Sequence, residues 1–168
     1  MRLWTLVAAN LLLAGVVSSA DPARETIDTK AAFARLKTLA GQWEAQTGAG
    51  KAQVSYEVIA GGTALVERDS MGDMPAMITV YHLDGDRLML THYCMAGNQP
   101  RMQAEAYDPS TGEIQFRFLD ATNLAPGGGH MHNATFHISG TDRFTSAWDF
   151  YQDGKSAKTE TFEYTRVK

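Results

Sequence analysis

Met77-Ile78-Thr79-Val80-Tyr81-His82-Leu83-Asp84-Gly85-Asp86-Arg87-Leu88-Met89-Leu90-Thr91-His92-Tyr93-Cys94-Met95 is the stretch whose reading decides the fold. Two apolar-rich runs of strand length flank Asp84-Gly85, and an Asp-Gly pair in that setting is a strong two-residue hairpin signal. With Asp84 and Gly85 as the turn, Tyr81 faces Leu88, Thr79 faces Leu90 and Met77 faces His92. One face of the ribbon then carries Met77, Thr79, Tyr81, Leu88, Leu90, His92 and Cys94, and we assign it to the interior. The other carries Ile78, Val80, His82, Arg87, Met89, Thr91 and Tyr93. A slip of one residue would exchange the two faces.

The same two-residue period runs outward in both directions. Upstream, Trp43, Ala45 and Thr47 alternate with polar neighbours, Val54, Tyr56 and Val58 do likewise, and Thr63 to Ser70 follows the Gly61-Gly62 turn. Met71 to Pro75 reads as a loop whose two methionines, Met71 and Met74, either pack the loop or line a portal. Downstream, Gln99–Tyr107 leads through an Asp108-Pro109-Ser110-Thr111-Gly112 turn to Ile114, Phe116 and Phe118. After a loop ending in Gly127-Gly128-Gly129, three strands follow: 130–139, 143–152 and 156–167. Their inward candidates are Ala134, Phe136 and Ile138, then Phe144, Ser146, Trp148 and Phe150, then Phe162, Tyr164 and Arg166. Before all of these, Asp28 or Thr29 caps a helix to about Leu39, with Phe33, Leu36 and Leu39 at helical spacing, ended by Gly41. Such a helix fits across one mouth of a barrel. The order is therefore one short helix and an antiparallel meander of about ten strands, an all-β chain without βα alternation. Closure into a barrel removes the edge strands, and a two-sheet sandwich is the alternative.

Composition agrees with one domain. The 168 residues are 44% hydrophobic with 15 glycines and a formal charge of -4, as suits short strands joined by tight turns. No basic patch with interleaved aromatics appears, which argues against a nucleic-acid partner. Arg2 precedes an apolar run from Leu3 to Val17, and Ser18-Ser19-Ala20 offers small residues before Asp21-Pro22. Residues 1–20 thus read as a signal peptide, 21–28 as a linker and 29–168 as the barrel domain. The expected location is secreted or periplasmic, with no stable membrane anchor after cleavage. Cys94 is the single cysteine, so no intrachain disulfide supports the fold.

Leu39-Ala40-Gly41-Gln42-Trp43-Glu44 after a short helix, followed by a meander, resembles the calycin superfamily of lipocalin-like barrels. The chain is similar to uncharacterised exported bacterial lipocalin-like proteins, and more weakly to nitrobindin, a ten-stranded haem barrel. The resemblance implies that Gly41-x-Trp43 packs the closed end and that Arg166 covers Trp43. It also implies an interior that holds a small apolar or amphipathic ligand.

Tyr56, Tyr81, Trp148, Tyr164 and Arg166 are the candidate lining of that cavity, an apolar chamber with hydroxyls and one cation. His130 and His132 lie two apart on a strand and so share a face; Ala134, Phe136 and Ile138 continue it inward. With His92 as third ligand, and Cys94 and His82 behind it, they are the candidate metal set. Gly-x-His-x-His is also similar to cupins, but no carboxylate follows at the cupin spacing. For haem, no axial histidine can be assigned, and the cofactor stays open. Cys94 reads as a small buried hydrophobe. Glu67 with Asp69, and Glu160 with Glu163, read as solvated surface acids. The main expectation is a binding protein for a small ligand. A histidine-ligated metal or haem protein and a solid-core interaction module are the alternatives, and neither an activity nor an oligomeric state is specified.

Overall fold

A computed structural model of the chain describes residues 27–48 and 50–168. The signal-peptide assignment and most of the linker assignment therefore lie outside the described residues. Helix α1 (Thr29–Lys37) precedes ten strands: β1 (Gly41–Thr47), β2 (Gly50–Ile59), β3 (Ala64–Met71), β4 (Met77–Asp84), β5 (Arg87–Tyr93), β6 (Gln99–Asp108), β7 (Glu113–Thr122), β8 (His130–His137), β9 (Arg143–Gln152) and β10 (Lys155–Arg166). Each strand pairs antiparallel with its neighbours in sequence, and β1 pairs with β10 to close the barrel. The sandwich alternative is thereby excluded. Among the described residues no helix is long and apolar enough to cross a membrane.

The central hairpin keeps its predicted faces but not its predicted register. Thr79 opposes His92, Tyr81 opposes Leu90 and Asp84 opposes Arg87. The loop is therefore Gly85-Asp86, with Gly85 at φ 62 and an Asp84–Arg87 ion pair closing it. The slip is two residues, an even number, so side chains stay on the assigned side. Thr79, Tyr81, Leu88, Leu90 and His92 are all buried.

Helix α1 starts where the Asp28 side chain accepts a hydrogen bond from the Ala31 amide at 2.9 Å. Its Ala32, Phe33 and Leu36, with Leu39 just beyond, join the central apolar cluster, so the helix plugs one end of the barrel. The β-turns after β2, β4, β6 and β8 lie at that end. Trp43 fills the floor, and its indole N–H donates to the Leu39 carbonyl at 2.6 Å. Arg166 lies over the Trp43 ring, 4.0 Å from the centroid. Its guanidinium donates to the Thr141, Ala40 and Thr38 carbonyls at 2.7, 2.8 and 3.0 Å. A Cβ on Gly41, whose φ is 129, would stand 2.7 Å from Arg166 Nη1. Gly41 is thus required both by its backbone and by the space that the guanidinium occupies.

Arg166→Ala is expected to destabilise the barrel by about 1–3 kcal/mol, since it strips donors from three backbone carbonyls and uncovers the indole. Arg166→Lys should recover only part, because an ammonium cannot reproduce the fork. Urea denaturation midpoints measure both, and an unchanged midpoint for the alanine variant contradicts the assignment.

Candidate functional site

Register gathers the site. Tyr56 on β2 opposes Glu67 on β3, Glu67 opposes Thr79 on β4, and Thr79 opposes His92 on β5. These four inward side chains form one polar rung across the barrel wall, and each is at least nine-tenths buried. Tyr81 donates a short hydrogen bond to Glu67 Oε2, and Tyr56 bonds the same carboxyl. Thr79 Oγ1 meets His92 Nδ1 at 2.9 Å. The other ring nitrogen, Nε2, is buried and makes no hydrogen bond in the structure.

The assignment of Glu67 and Asp69 to the solvated surface is overturned. Glu67 is 6% exposed, and Asp69 is half-buried on the same side of β3. Burial, reinforced by the charge of Asp69, pushes the Glu67 carboxyl up to about 8, against the opposing hydrogen bonds from Tyr81 and Tyr56. Asp69 is also raised by burial, opposed by the Met77 amide, which donates to its Oδ1 at 3.1 Å. Burial pulls His92 down to about 4. At neutral pH the chamber wall therefore holds an uncharged carboxyl and an uncharged imidazole.

These groups face a chamber at the end of the barrel opposite α1. It is lined by Glu67, Asp69, His92, Trp148 and Tyr164, and towards the outside by Met71, Met74, Met77 and Met131. Its volume is about 50 Å³, room for a few waters or a compact ligand and well below the few hundred Å³ typical of drug-sized sites. A wider groove of about 420 Å³ lies at the helix end beside Asp28, Ala31, Glu105 and Tyr107. None of its lining residues is buried, and we place no site there.

Of the five residues predicted to line a cavity, Trp148 and Tyr164 do so. Tyr56 and Tyr81 stand behind the lining, holding Glu67. Arg166 does not reach the chamber; it turns to the floor of the barrel, where its contacts with Trp43 and three carbonyls fix it at the closed end. His92 lines the chamber, but His130 and His132 do not. The pairing of β8 with β9 shifts between Met131 and Asn133, and a bulge breaks strict alternation. Met131, rather than either histidine, consequently reaches the chamber. His132 instead stacks on Tyr151 and Phe118, with ring centroids at 3.9 and 4.6 Å.

His130 Nδ1 lies 3.0 Å from the Gly128 carbonyl and its Nε2 lies 3.0 Å from His132 Nδ1. A carbonyl only accepts, so His130 carries a proton on Nδ1, and its Nε2 shares a second hydrogen bond with His132 Nδ1. Both facing nitrogens are thus spent on each other. Burial and the neighbouring His130 hold His132 below the ordinary histidine range, opposed by Asp149. The predicted trio of His92, His130 and His132 is not assembled. Among the described residues no group of three or more His, Cys, Asp or Glu side chains is arranged to hold a metal ion. Cys94 sits just past β5, half-buried, with its thiol raised mainly by burial.

Neither a protein-family model nor a curated protein sequence matches the chain. Among solved structures, the crystal structure of Rv2717c from M. tuberculosis is similar, with a TM-score of 0.53 and 13% identity, covering 82% of this chain and 98% of that one. At that identity the likeness speaks for the barrel fold alone.

The two shifted groups give a testable pH signature. Glu67 retains its proton in the folded state up to about pH 8, whereas the unfolded carboxyl loses it near 4.5, so its contribution lowers stability as pH rises between those values. His92 acts oppositely between about 4 and 6.5, because the unfolded imidazole takes up a proton that the folded one refuses. The two slopes offset each other up to pH 6.5. From there to pH 8, stability should fall by up to about 1.4 kcal/mol per pH unit. Glu67→Gln should flatten that window in denaturant titrations, and a variant that keeps the parent's slope contradicts the assignment.

Proposed function

We propose that the chain is an exported binding protein for a small, compact ligand that enters the open end of the barrel and rests against His92 and Glu67. One observation carries this reading. His92 Nε2 is buried, lacks a partner and borders the chamber, and a buried polar atom left unpaired in an otherwise satisfied wall suits a bound group. The uncharged Glu67 carboxyl, two strands away on the same wall, can both donate and accept. Trp148, Phe162 and the four methionines supply apolar, deformable contact, which suits the amphipathic class expected from the sequence. The volume favours its shorter members over long-chain fatty acids. It also disfavours the haem alternative, since a macrocycle needs far more room. Export is supported by the basic residue, apolar run and small residues of the N-terminal segment.

Methyl-labelled methionine provides a direct test. Titration with short-chain alcohols and carboxylic acids should shift Met71, Met77 and Met131 methyl signals saturably, and His92→Ala should weaken the best ligand roughly tenfold. Shifts scattered over the surface, or affinities unmoved by His92→Ala, would sink the proposal.

A further inference from the structure

The same chamber carries a pattern that a purely organic ligand does not explain. Met71-Gly72-Asp73-Met74-Pro75-Ala76-Met77 sets three thioethers three residues apart around a single turn, Met71 ending β3 and Met77 beginning β4. Gly72, Asp73, Pro75 and Ala76 are exposed, whereas Met71, Met74 and Met77 are half-buried and all line the chamber. A fourth, Met131, meets them from β8 across the barrel because of the bulge described above. An apolar turn would be packed as well by leucine, and leucine does not occur in it.

We infer that Met71, Met74, Met77 and Met131 together with His92 Nε2 form a site for a soft monovalent cation, copper(I) in particular. Thioether sulfur and imidazole nitrogen are the donors that soft ions select, while hard divalent ions prefer oxygen. His92 is suited to the role. Its Nδ1 faces Thr79 Oγ1, and a proton held there leaves the lone pair of Nε2 for the ion, the arrangement that oriented metal ligands share. The Asp69 carboxylate on the same chamber wall complements a positive charge without being needed as a ligand, whereas Glu160 is already paired with Lys158. The available volume, too small for a large organic molecule, accommodates an ion. The inference rests on the reading that this chamber is a binding site, and goes beyond it in the class of ligand.

The experiment is an anaerobic competition of the purified, untagged chain with bicinchoninate for copper(I), repeated with silver(I), with zinc(II) as the borderline divalent control. We expect one equivalent of copper(I) or silver(I) per chain and no comparable zinc binding. Met71→Leu/Met74→Leu/Met77→Leu and His92→Gln should each weaken copper(I) roughly tenfold to a hundredfold, with circular dichroism reporting the intact barrel. Should the triple variant fail to fold, Met74→Leu alone, which lies outside every ladder, should weaken binding in the same direction. Cys94→Ser should leave binding unchanged. No copper(I) uptake by the parent, uptake insensitive to the methionine changes, or uptake abolished by Cys94→Ser overturns the inference. If short amphiphiles still shift the methionine methyls while copper(I) does not bind, the cation site alone fails. If neither binds, the chamber is not a binding site and both readings fail.

Discussion

Closure rests on the contact between Arg166 and Trp43. Among the described residues β1 and β10 are joined through two opposed pairs, Trp43 with Arg166 and Glu44 with Thr165, the shortest ladder in the sheet, with one further bond from the Val167 amide to the Gln42 carbonyl. So brief a seam gains its strength from side chains. One guanidinium ties the end of α1, the start of β1 and the β8–β9 turn through three carbonyls, and its flat face covers the indole that floors the core. Closure is what brings β3, β4 and β5 opposite β8, β9 and β10, so that Met131 and Trp148 meet Met71 and His92 across one interior.

Below the seam, local preferences and tertiary packing agree almost everywhere. Alternating strands deliver Leu65, Leu88, Leu90, Ile114, Phe116 and Phe136 to a core without exposed surface. Besides the small Ser146, and His130 at the start of β8, the exception along the strands is the rung of Tyr56, Glu67, Thr79 and His92, where polar groups are carried into the barrel. Keeping a carboxyl there requires that it be neutral or well bonded, and two tyrosine hydroxyls serve Glu67. A leucine at that position would satisfy the packing with no such arrangement. Departures from an otherwise consistent pattern are where function is to be sought, and this departure opens on the chamber.

The two-residue period made the architecture legible, and it survived an error. Taking Asp84-Gly85 as the turn misplaces the hairpin by two residues, yet Thr79, Tyr81 and His92 still point inward because the parity is unchanged. Parity also explains the two failures at the site. His130 and His132 share a parity with Ala134 and Phe136, but the bulge before Asn133 adds a residue that no periodicity reveals. Glu67 and Asp69 were assigned to the surface by residue type alone, although a signal was present. Arg68 between them cannot shed its charge and must face water, which leaves its neighbours with Leu65 and Met71 on the inner side. Arg166 was ambiguous for a different reason. Its inward parity at the last residue of β10 leads to the floor of the barrel rather than to its chamber.

The loop that precedes β8 has a further bearing on the open end. Its three glycine carbonyls are each taken: Gly127 by Gln152 and the Asp153 amide, Gly128 by His130, and Gly129 by Asn98. The β5–β6, β7–β8 and β9–β10 connections are thereby strapped to one another. The β3–β4 connection carries hydrogen bonds within itself and to the adjoining ends of β1 and β2, and otherwise rests on thioether packing. The two sides of the rim are thus held by different means, strapped glycine carbonyls on one and local hydrogen bonds with thioether packing on the other. A segment held in this way can open locally without unfolding of the barrel, the sub-global kind of motion that hydrogen exchange reports.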